Sequence, residues 1–311
     1  MKIDFEIMRQ PGFFKNLERE RKKDMAYVTR HHGWKKISEC PVCGDRQPET
    51  GAIKDTKHCM LCDCLYMTKI PKNFDWYEDN HYEATFLKPV EKRRDYRKER
   101  FGKERIALIK KYLGKPLSKA TLLDVGCSTG FFLELAKDHF KEVEGIEINH
   151  KIAKQVQEKF GIKVYGSLPE LHKRYSVITL FDVIEHVEQP LAFLIHLVEN
   201  QLEEGGILFI ITPNWRSLSF EALKEESNHY YPCEHFQFFS KATGFSVSLS
   251  LRMKLLLEET RGMDFFDILA YDRDVHKTQI RRTFLYKHLN DMQDALDNCG
   301  FSNSVRFIMK K

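Results

Sequence analysis

The central and C-terminal parts of the chain alternate between short apolar runs and longer stretches in which apolar residues recur every three to four positions. The first pattern predicts buried strands, and the second predicts helices packed on one face. The predicted strands are residues 121–125, 143–148, 176–181, 207–211, 254–258 and 304–309, and the predicted helices are residues 131–140, 151–160, 190–202 and 286–298. Strands alternating with helices of this length predict an α/β fold, with helices on both faces of a mainly parallel sheet.

The same pattern divides the chain into four segments. Residues 1–39 are a charged lead-in with a helix predicted over 13–27, and residues 40–70 hold most of the cysteines. Residues 71–119 are predicted to be a linker followed by a basic helix, and residues 120–311 are predicted to be the α/β domain.

Two Cys-x-x-Cys pairs, separated by fifteen residues, dominate the second segment. They consist of Cys40, Cys43, Cys59 and Cys62. Each pair on a tight turn places two thiolates at adjacent corners of a tetrahedron, and two such turns complete a structural zinc site. Gly44 provides a residue that tolerates positive φ after the first pair. His58 and Cys64 flank the second pair and are alternatives for one of the four ligands. The pattern predicts a small zinc-ribbon module holding Zn²⁺.

Composition and charge narrow the function classes. The chain is 42% hydrophobic and 31% charged, with charged residues at its N-terminus and no apolar run near the ~20 residues that cross a bilayer. We therefore expect a cytoplasmic protein without membrane insertion, in which the eight cysteines do not form disulfides. No pattern in the sequence predicts an oligomeric state.

The basic excess of the chain is local. Residues 83–119 contain 13 Lys and Arg against 5 Asp and Glu, a net charge of +8, whereas the rest of the chain carries −3. Ile106, Ile109 and Leu113 recur at helical spacing within this segment. We interpret the segment as a helix with a packed stripe and a solvated charged face, in preference to an anion-binding surface.

A glycine-containing turn follows the predicted strand that ends at Asp124 and Val125. Gly126 and Gly130 allow the backbone to turn tightly and approach a ligand before the next helix begins. Position 128 is Ser, so the Gly-x-Gly-x-x-Gly pattern of nicotinamide-binding proteins is absent. Glu147 lies 21 residues after Gly126, close to the spacing at which an acidic side chain binds ribose hydroxyls.

Taken together, these motifs resemble those of class I S-adenosylmethionine-dependent methyltransferases. Residues 122–132 resemble motif I, Glu147 matches the ribose-binding acid, residues 181–187 resemble the segment after strand 4, and residues 206–214 resemble strand 5 with its loop. Residues 234–240 resemble a signature of the branch that acts on small molecules and sugars, in which a Cys-x-x-Cys ribbon also precedes the domain. The resemblance implies a Rossmann-like sheet preceded by a zinc ribbon.

The resemblance implies S-adenosylmethionine as the cofactor. The residues that it assigns to cofactor binding are Asp124, Gly126, Cys127, Gly130, Phe131 and Phe132 around the methionine part, Glu147 and Ile148 at the ribose and adenine edge, Gly166, Ser167 and Leu168 beside the adenine, and Phe181, Asp182 and His186 beneath the sulfonium. Ser128 stands where most members of the family have glycine.

Methyl transfer from a sulfonium requires alignment of the two reactants and, for a poorly acidic acceptor, a base. The resemblance favours His235 as the general base, with His186 as an acceptor contact. An adjacent carboxylate, Glu234, is expected to orient the His235 imidazole. The aromatic residues expected to contact the acceptor are Tyr77, Tyr82 and Tyr231.

Three functions are compatible with these motifs. The first is methyl transfer to a small molecule such as a sugar or a nucleotide-sugar and glycan precursor, with oxygen favoured over carbon or nitrogen. The second is methylation of ribosomal or transfer RNA, which we rank lower because the ribbon from Cys40 to Cys64 contains only Arg46, Lys54 and Lys57 as cations. The third, ranked last, is a non-catalytic cofactor-binding protein.

Overall fold

The computed structural model describes residues 2–73, 91–276 and 282–311 of the chain. Its strands are β1 (Trp34–Lys36), β2 (Glu49–Thr50), β3 (Thr56–His58), β4 (Leu65–Met67), β5 (Lys69–Pro71), β6 (Thr121–Val125), β7 (Glu142–Ile146), β8 (Lys163–Tyr165), β9 (Tyr175–Phe181), β10 (Leu202–Pro213), β11 (Gln237–Phe238), β12 (Lys254–Thr260) and β13 (Ser304–Lys310).

The α-helices within these ranges are α1 (Phe5–Met8), α2 (Phe13–His31), α3 (Arg94–Arg97), α4 (Lys103–Leu113), α5 (Phe131–Ala136), α6 (His150–Phe160), α7 (Pro190–His196), α8 (Leu218–Leu223), α9 (Lys241–Ser250), α10 (Asp264–Tyr271) and α11 (Arg282–Cys299). A π-helical turn over Lys98–Gly102 joins α3 to α4. In the part of the chain that the structure describes, no helix is both long enough and apolar enough to cross a membrane.

Seven strands form the main sheet, in the order β12-β13-β10-β9-β6-β7-β8. Strands β6 to β10 run parallel to their neighbours, and β13 is antiparallel to both β10 and β12. The predicted α/β fold is therefore confirmed. Because the chain leaves β6 toward β7 on one side and later returns to β9 on the other, a crevice opens at the carboxyl ends of β6 and β9, where ligands of such sheets bind.

Side chains alternate across this sheet, as the apolar runs predict. Leu123, Ile178 and Leu208 lie side by side in the register of β6, β9 and β10, and all three are fully buried in the core on one face. The residue that precedes each of them belongs to the core on the opposite face. Burial of both faces explains why these strands are continuous apolar runs, and it fixes the carboxyl ends of the strands at one edge.

The cysteine-rich segment is joined to the α/β domain through a second, antiparallel sheet in the order β11-β4-β3-β2. Strand β11 comes from the region after β10, and its Gln237 and Phe238 pair with Tyr66 and Leu65 of β4. The backbone N–H of Met67 also donates to the carbonyl of Phe236, at 2.8 Å. The segment is thus hydrogen-bonded to the loop that leads into β11.

The N-terminal lead-in packs against the C-terminal helices. Phe5 and Phe14 share a buried apolar cluster with Phe266 of α10. The buried guanidinium of Arg9 forms an ion pair with Asp267, which is fully buried. Helices α1 and α2 therefore cover the domain from outside the main sheet.

One predicted boundary differs from the structure for a clear reason. The Gly205-Gly206 pair was expected to precede the strand over 207–211, yet β10 already begins at Leu202. Leu202 pairs with Tyr175, and the register then shifts before Ile207 pairs with Val177. Gly205 has φ 74°, so the glycine pair forms a bulge inside the strand and does not end it.

Candidate active site

The turn after β6 adopts the strained backbone that its glycines permit. Gly126 and Gly130 have φ of 68° and 73°. A Cβ atom at Gly126 would lie 2.5 Å from Val183, and one at Gly130 would lie 2.8 Å from Val156. Ser128, in the position where glycine was expected, also has positive φ, at 49°. The turn therefore keeps the left-handed conformation without that glycine, at some cost in backbone strain.

Glu147, directly after β7, faces this turn. Its two carboxylate oxygens accept hydrogen bonds from the backbone N–H groups of Ser128 and Asn149, each at 2.9 Å. The residue is 8% exposed, and burial raises the pKa of its carboxyl despite these bonds. Each carboxylate oxygen retains a second lone pair, so Glu147 can still accept bonds from ribose hydroxyls.

Asp124 is the second buried carboxyl at the carboxyl end of β6. Its side chain accepts a hydrogen bond of 2.6 Å from the hydroxyl of Thr179 on β9. Burial raises its pKa to about 7. Asp124 therefore bridges the two strands that border the crevice.

The other predicted cofactor residues differ in exposure and in their position on the sheet. Cys127 and Phe132 are buried in the core cluster on one face of the main sheet, so any contact they make with a cofactor must involve their backbone. Phe131 is 8% exposed, whereas Ile148 beside Glu147 is 54% exposed and offers an apolar surface at the strand end. The remaining residues lie at the ends of β8 and β9: Gly166, Ser167, Leu168, Phe181 and Asp182.

Two histidines and a glutamate meet beyond the end of β9. The rings of His186 and His235 are 4.7 Å apart between centroids, in an edge-to-face arrangement. The ligand atoms of both histidines and of Glu185 lie within 4.8 Å of one another, an arrangement that can bind a metal ion or pass a proton. Glu185 is fully buried, and one of its oxygens accepts a bond of 2.9 Å from Thr212. Its other oxygen has no partner among the described residues.

Hydrogen bonding fixes the tautomer of His235. Its Nδ1 lies 2.6 Å from the carbonyl oxygen of His229, and a carbonyl only accepts, so Nδ1 carries the proton. The lone pair on Nε2 is therefore available. The backbone N–H of Phe236 donates to the carbonyl of Glu185, and the Gln237 amide donates to two carbonyls of the turn that holds His186. The loop that carries His235, between β10 and β11, is thus hydrogen-bonded to the residues that follow β9.

Burial shifts the pKa values of the histidines and of Glu185. It lowers the pKa of His235 to about 4 and that of His229 to about 3, and it lowers the pKa of His186 well below its ordinary value. Burial also raises the pKa of the Glu185 carboxyl, with Asp182 adding to the shift. The imidazoles are therefore neutral at neutral pH, as a general base requires.

Two predicted roles need correction. Glu234 does not orient the imidazole of His235, because that bond comes from the His229 carbonyl, and the buried Glu234 carboxyl keeps one oxygen without a partner among the described residues. Tyr231 is 3% exposed and donates its hydroxyl to Asp24 of α2, so it joins the lead-in to the loop and does not face an acceptor. The predicted acceptor contacts Tyr77 and Tyr82 lie outside the described residues.

A cavity of about 220 Å³ lies beside the histidines, at the ends of β9 and β10. Its walls include His235, Glu185 and Asp182, together with polar side chains from the C-terminal region. Five arginines also line it: Arg97, Arg100, Arg105, Arg261 and Arg306.

Two arginines correct the interpretation of the basic segment as a solvated helix face over residues 91–119, while residues 83–90 of that segment lie outside the described residues. Arg94 and Arg105 are only 9% and 6% exposed, so part of the basic face turns inward. Sequence reasoning missed this, and it also passed over Glu185 and His229. A signal existed for Arg105, which stands four residues before the buried Ile109 and so lies on the packed stripe of α4.

The four paired cysteines come together as predicted. The Sγ atoms of Cys40 and Cys62 lie 3.5 Å apart, and those of Cys43 and Cys59 lie 3.4 Å apart. All four Sγ atoms lie within 4.8 Å of one another, which fits a tetrahedral zinc ion with Zn–S bonds of about 2.3 Å. Gly44 has φ 76°, as its place in the turn requires.

The two alternative ligands have other partners. His58 Nε2 lies 2.7 Å from Asp63, and its ring packs against Trp215. Cys64 is fully buried and directs its thiol toward the backbone carbonyl of Leu65, at 3.6 Å. The four-cysteine cluster therefore forms without either residue.

Residues 96–244, just under half of the chain, match a family model described as a methyltransferase domain. The mitochondrial ubiquinone biosynthesis O-methyltransferase of Candida albicans is 32% identical over 111 residues, which cover 31% of this chain and 33% of that protein. The ubiquinone biosynthesis O-methyltransferase of Rickettsia canadensis is 32% identical over 106 residues, which cover 32% of this chain and 44% of that protein. The chain thus spans less than half of the length of these two relatives.

Two solved structures are also similar to the chain. One is an S-adenosylmethionine-bound amino pentose methyltransferase from Micromonospora echinaspora, with 23% identity, a TM-score of 0.32, and coverage of 35% of this chain and 48% of that one. The other is a cyclopropane synthase from Mycobacterium tuberculosis, with 16% identity, a TM-score of 0.45, and coverage of 66% and 84%.

Proposed function

We propose that this chain, whose residues 96–244 match a methyltransferase-domain model, is an S-adenosylmethionine-dependent enzyme that transfers a methyl group to a hydroxyl oxygen of a small molecule. The observation that carries the proposal is the pairing of two sites at one edge of the sheet. The glycine turn and Glu147 lie at the ends of β6 and β7, and the histidine pair with its cavity lies at the ends of β9 and β10.

The two sites are in direct contact. Val183, between Asp182 and the turn that carries His186, packs so closely on Gly126 that no side chain fits there. A cofactor held by the glycine turn and Glu147 would therefore lie beside the segment after β9, from which Asp182 and Glu185 line the cavity, and could be aligned with an acceptor bound there. Such alignment is the larger part of catalysis in an in-line methyl transfer.

His235 is the general base in this proposal. Its Nδ1 proton is held by the His229 carbonyl, so Nε2 is the atom that would accept the proton of the acceptor hydroxyl. His186, edge-on to His235, would contact the acceptor or the region beneath the sulfonium. Glu234 has no part in this step.

A sugar or nucleotide-sugar is the acceptor class that we propose. The cavity wall presents Asn228 and Ser304 beside the histidines, and amide and hydroxyl groups suit an acceptor with several hydroxyls. The resemblance of residues 234–240 to the sugar-modifying branch points the same way.

The four-cysteine cluster would hold a structural Zn²⁺. Four thiolates leave no open coordination position, so the ion would stabilise the ribbon and take no part in methyl transfer. Because β4 of the ribbon pairs with β11, the ion would also support the loop that carries His235.

The RNA alternative is less well supported. Arg94 is bound to Glu91 and Glu134, and Lys98 to Asp95 and Glu134, so these cations of the basic segment are already neutralised within the chain. An RNA methyltransferase would bind RNA with an affinity that falls steeply with salt through counterion release. We expect no such tight, salt-dependent binding.

The proposed function is tested with the full chain and a panel of sugars and nucleotide-sugars. Calorimetry should detect binding of S-adenosylhomocysteine, and transfer of a labelled methyl group should be detected with at least one acceptor. An RNA panel, assayed in parallel at low and high salt, is the comparison. Failure to bind S-adenosylhomocysteine would contradict the proposal, and methylation of RNA alone would replace it by the second function.

A further inference from the structure

Two arginines in the cavity have no counter-charge bound to them. Arg100 pairs with Glu104, Arg306 pairs with Glu104 and Glu259, and Arg261 pairs with Asp297. Within residues 2–73, 91–276 and 282–311, Arg97 and Arg105 form no ion pair, and the buried Nε of each has no hydrogen-bond partner.

Arg105 is the more informative of the two. It is 6% exposed, and its buried Nε has no partner among the described residues. Its guanidinium stacks on the ring of Phe181, 4.1 Å from the centroid, and it also lies over Phe131. Aromatic stacking holds the group in place but satisfies none of its five N–H donors. A buried cation in this state is costly unless a ligand supplies acceptors.

Arg97, the last residue of α3, lies eight residues before Arg105, across the π-helical turn that joins α3 to α4. Its guanidinium lies 4.8 Å from the centroid of the same Phe131 ring, and its Nε is likewise buried without a partner in the described ranges. The Asp182 carboxylate lies near both guanidinium groups, but no ion pair joins it to either arginine in the part of the chain that the structure describes. Five arginines line the cavity against three carboxylates, those of Asp182, Glu185 and Asp297, so its wall is net positive.

We propose that Arg97 and Arg105 form an anion subsite of the cavity, which binds a phosphoryl or carboxylate group of the methyl acceptor. This inference rests on the proposed function for the identity of the acceptor. Arginine suits the role because its planar donors bind two oxygens of such a group at once. The subsite would anchor the acceptor by its charge and leave a hydroxyl to reach His235, which lines the same cavity.

The lining of the cavity favours the acceptor over the cofactor as the source of the anion. Its described walls come from the basic segment, the N-terminal lead-in, the segments after β9, β10 and β12, and the C-terminal region. They include neither the glycine turn nor Glu147. The methionine carboxylate of the cofactor is nevertheless the rival anion, since Phe131 adjoins that turn.

The experiment titrates full-length protein with sodium pyrophosphate, and separately with malonate, after saturation with S-adenosylhomocysteine. Once S-adenosylhomocysteine is bound, its own carboxylate occupies any site for the cofactor's anion. Any further anion that binds therefore occupies the part of the cavity proposed for the acceptor. We expect calorimetry to show binding of at least one probe, weakened about tenfold or more by Arg97→Met and by Arg105→Met. Affinity for S-adenosylhomocysteine should change less than about twofold.

Two variants control the result. Arg46→Met removes an arginine that is 83% exposed on the ribbon, and it should bind the probes like wild type. Arg105→Lys keeps the positive charge and should retain part of the affinity. If Arg105→Met does not fold, as judged by circular dichroism, Arg97→Met decides the test, because Arg97 is less buried.

The outcomes separate this inference from the proposed function. No binding of either probe to the saturated wild-type protein would overturn the anion subsite and leave methyl transfer intact. Loss of S-adenosylhomocysteine affinity in both variants, with unchanged probe binding, would assign the arginines to the cofactor and also overturn the inference. Failure of wild-type protein to bind S-adenosylhomocysteine would instead contradict the proposed function.

Discussion

The ring of His186 meets the ring of His235 edge to face, with 4.7 Å between their centroids, although 48 residues separate them in the chain. One ring follows β9 and the other lies in the loop between β10 and β11. The His235 ring is hydrogen-bonded through Nδ1 to the carbonyl of His229, whereas the His186 ring is hydrogen-bonded to the backbone of Glu234. This asymmetry gives the two histidines different expected roles, and mutation can separate them.

Replacing His235 by alanine should reduce turnover by about 10²- to 10⁴-fold, the usual contribution of a general base. Affinity for S-adenosylhomocysteine should stay near that of wild type, because His235 lies beyond the glycine turn and Glu147. His186→Ala should affect both quantities. His139→Ala, at an exposed site, is the control. Near-normal turnover by His235→Ala would move the base to His186 or leave alignment as the main source of catalysis.

On the acid side, kcat/KM should fall only at a pH well below the ordinary pKa of histidine. Burial lowers the pKa of His235 to about 4, so the base stays unprotonated, and active, as the pH falls from 8 to about 5. Activity should fall with acid only as the pH approaches 4. The measurement is the pH profile of kcat/KM, with circular dichroism to establish that the protein remains folded. A limb near pH 6.5 would indicate a solvent-exposed base.

Glu147→Ala should weaken binding of S-adenosylhomocysteine by about 100-fold or more, since two ribose hydroxyls lose a charged acceptor. The same change frees the backbone N–H of Ser128, so thermal unfolding is measured alongside calorimetry. The control is Glu158→Ala, which removes an exposed carboxylate from α6. Unchanged affinity in a folded Glu147→Ala protein would remove Glu147 from the ribose site.

Carefully purified protein should contain one zinc ion per chain. Cys40→Ser and Cys62→Ser should each lose it, along with much of the ~10–16 kcal/mol of apparent binding energy that such sites contribute to folding. Acceptor turnover should fall with the metal, because the ribbon supports the His235 loop. Cys299→Ser, at an exposed free thiol, should keep its zinc. Elemental analysis that finds no zinc in the wild-type protein would contradict the assignment of a zinc site to the four cysteines.

The sheet and the glycine turn were predictable from sequence because local pattern determines them. Continuous apolar runs such as 121–125 mark strands buried on both faces, and Gly126 and Gly130 stand where the backbone needs positive φ. The bulge at Gly205 was not predictable, since a glycine pair indicates a turn as readily as a bulge.

The errors at the site arise from contacts between distant parts of the chain. Glu234 is next to His235 in sequence, but the backbone turns so that the His229 carbonyl binds the imidazole. The hydroxyl of Tyr231 donates to Asp24, more than 200 residues earlier in the chain. Arg105 turns inward because Phe181, at the end of β9, provides a ring for it to stack on. Charge content alone could not distinguish that arginine from a solvated one.

The β4–β11 pairing has a consequence for any attempt to isolate the methyltransferase domain. Removing residues 2–73 would leave β11 without its only described partner strand and would uncover Phe236 and Phe238, which are now buried against the ribbon. An open strand edge beside exposed aromatic rings is a template for aggregation. The shortened protein should therefore precipitate or form mixed oligomers even if its cofactor crevice folds correctly. By covering this strand edge, the ribbon also protects the chain against self-association.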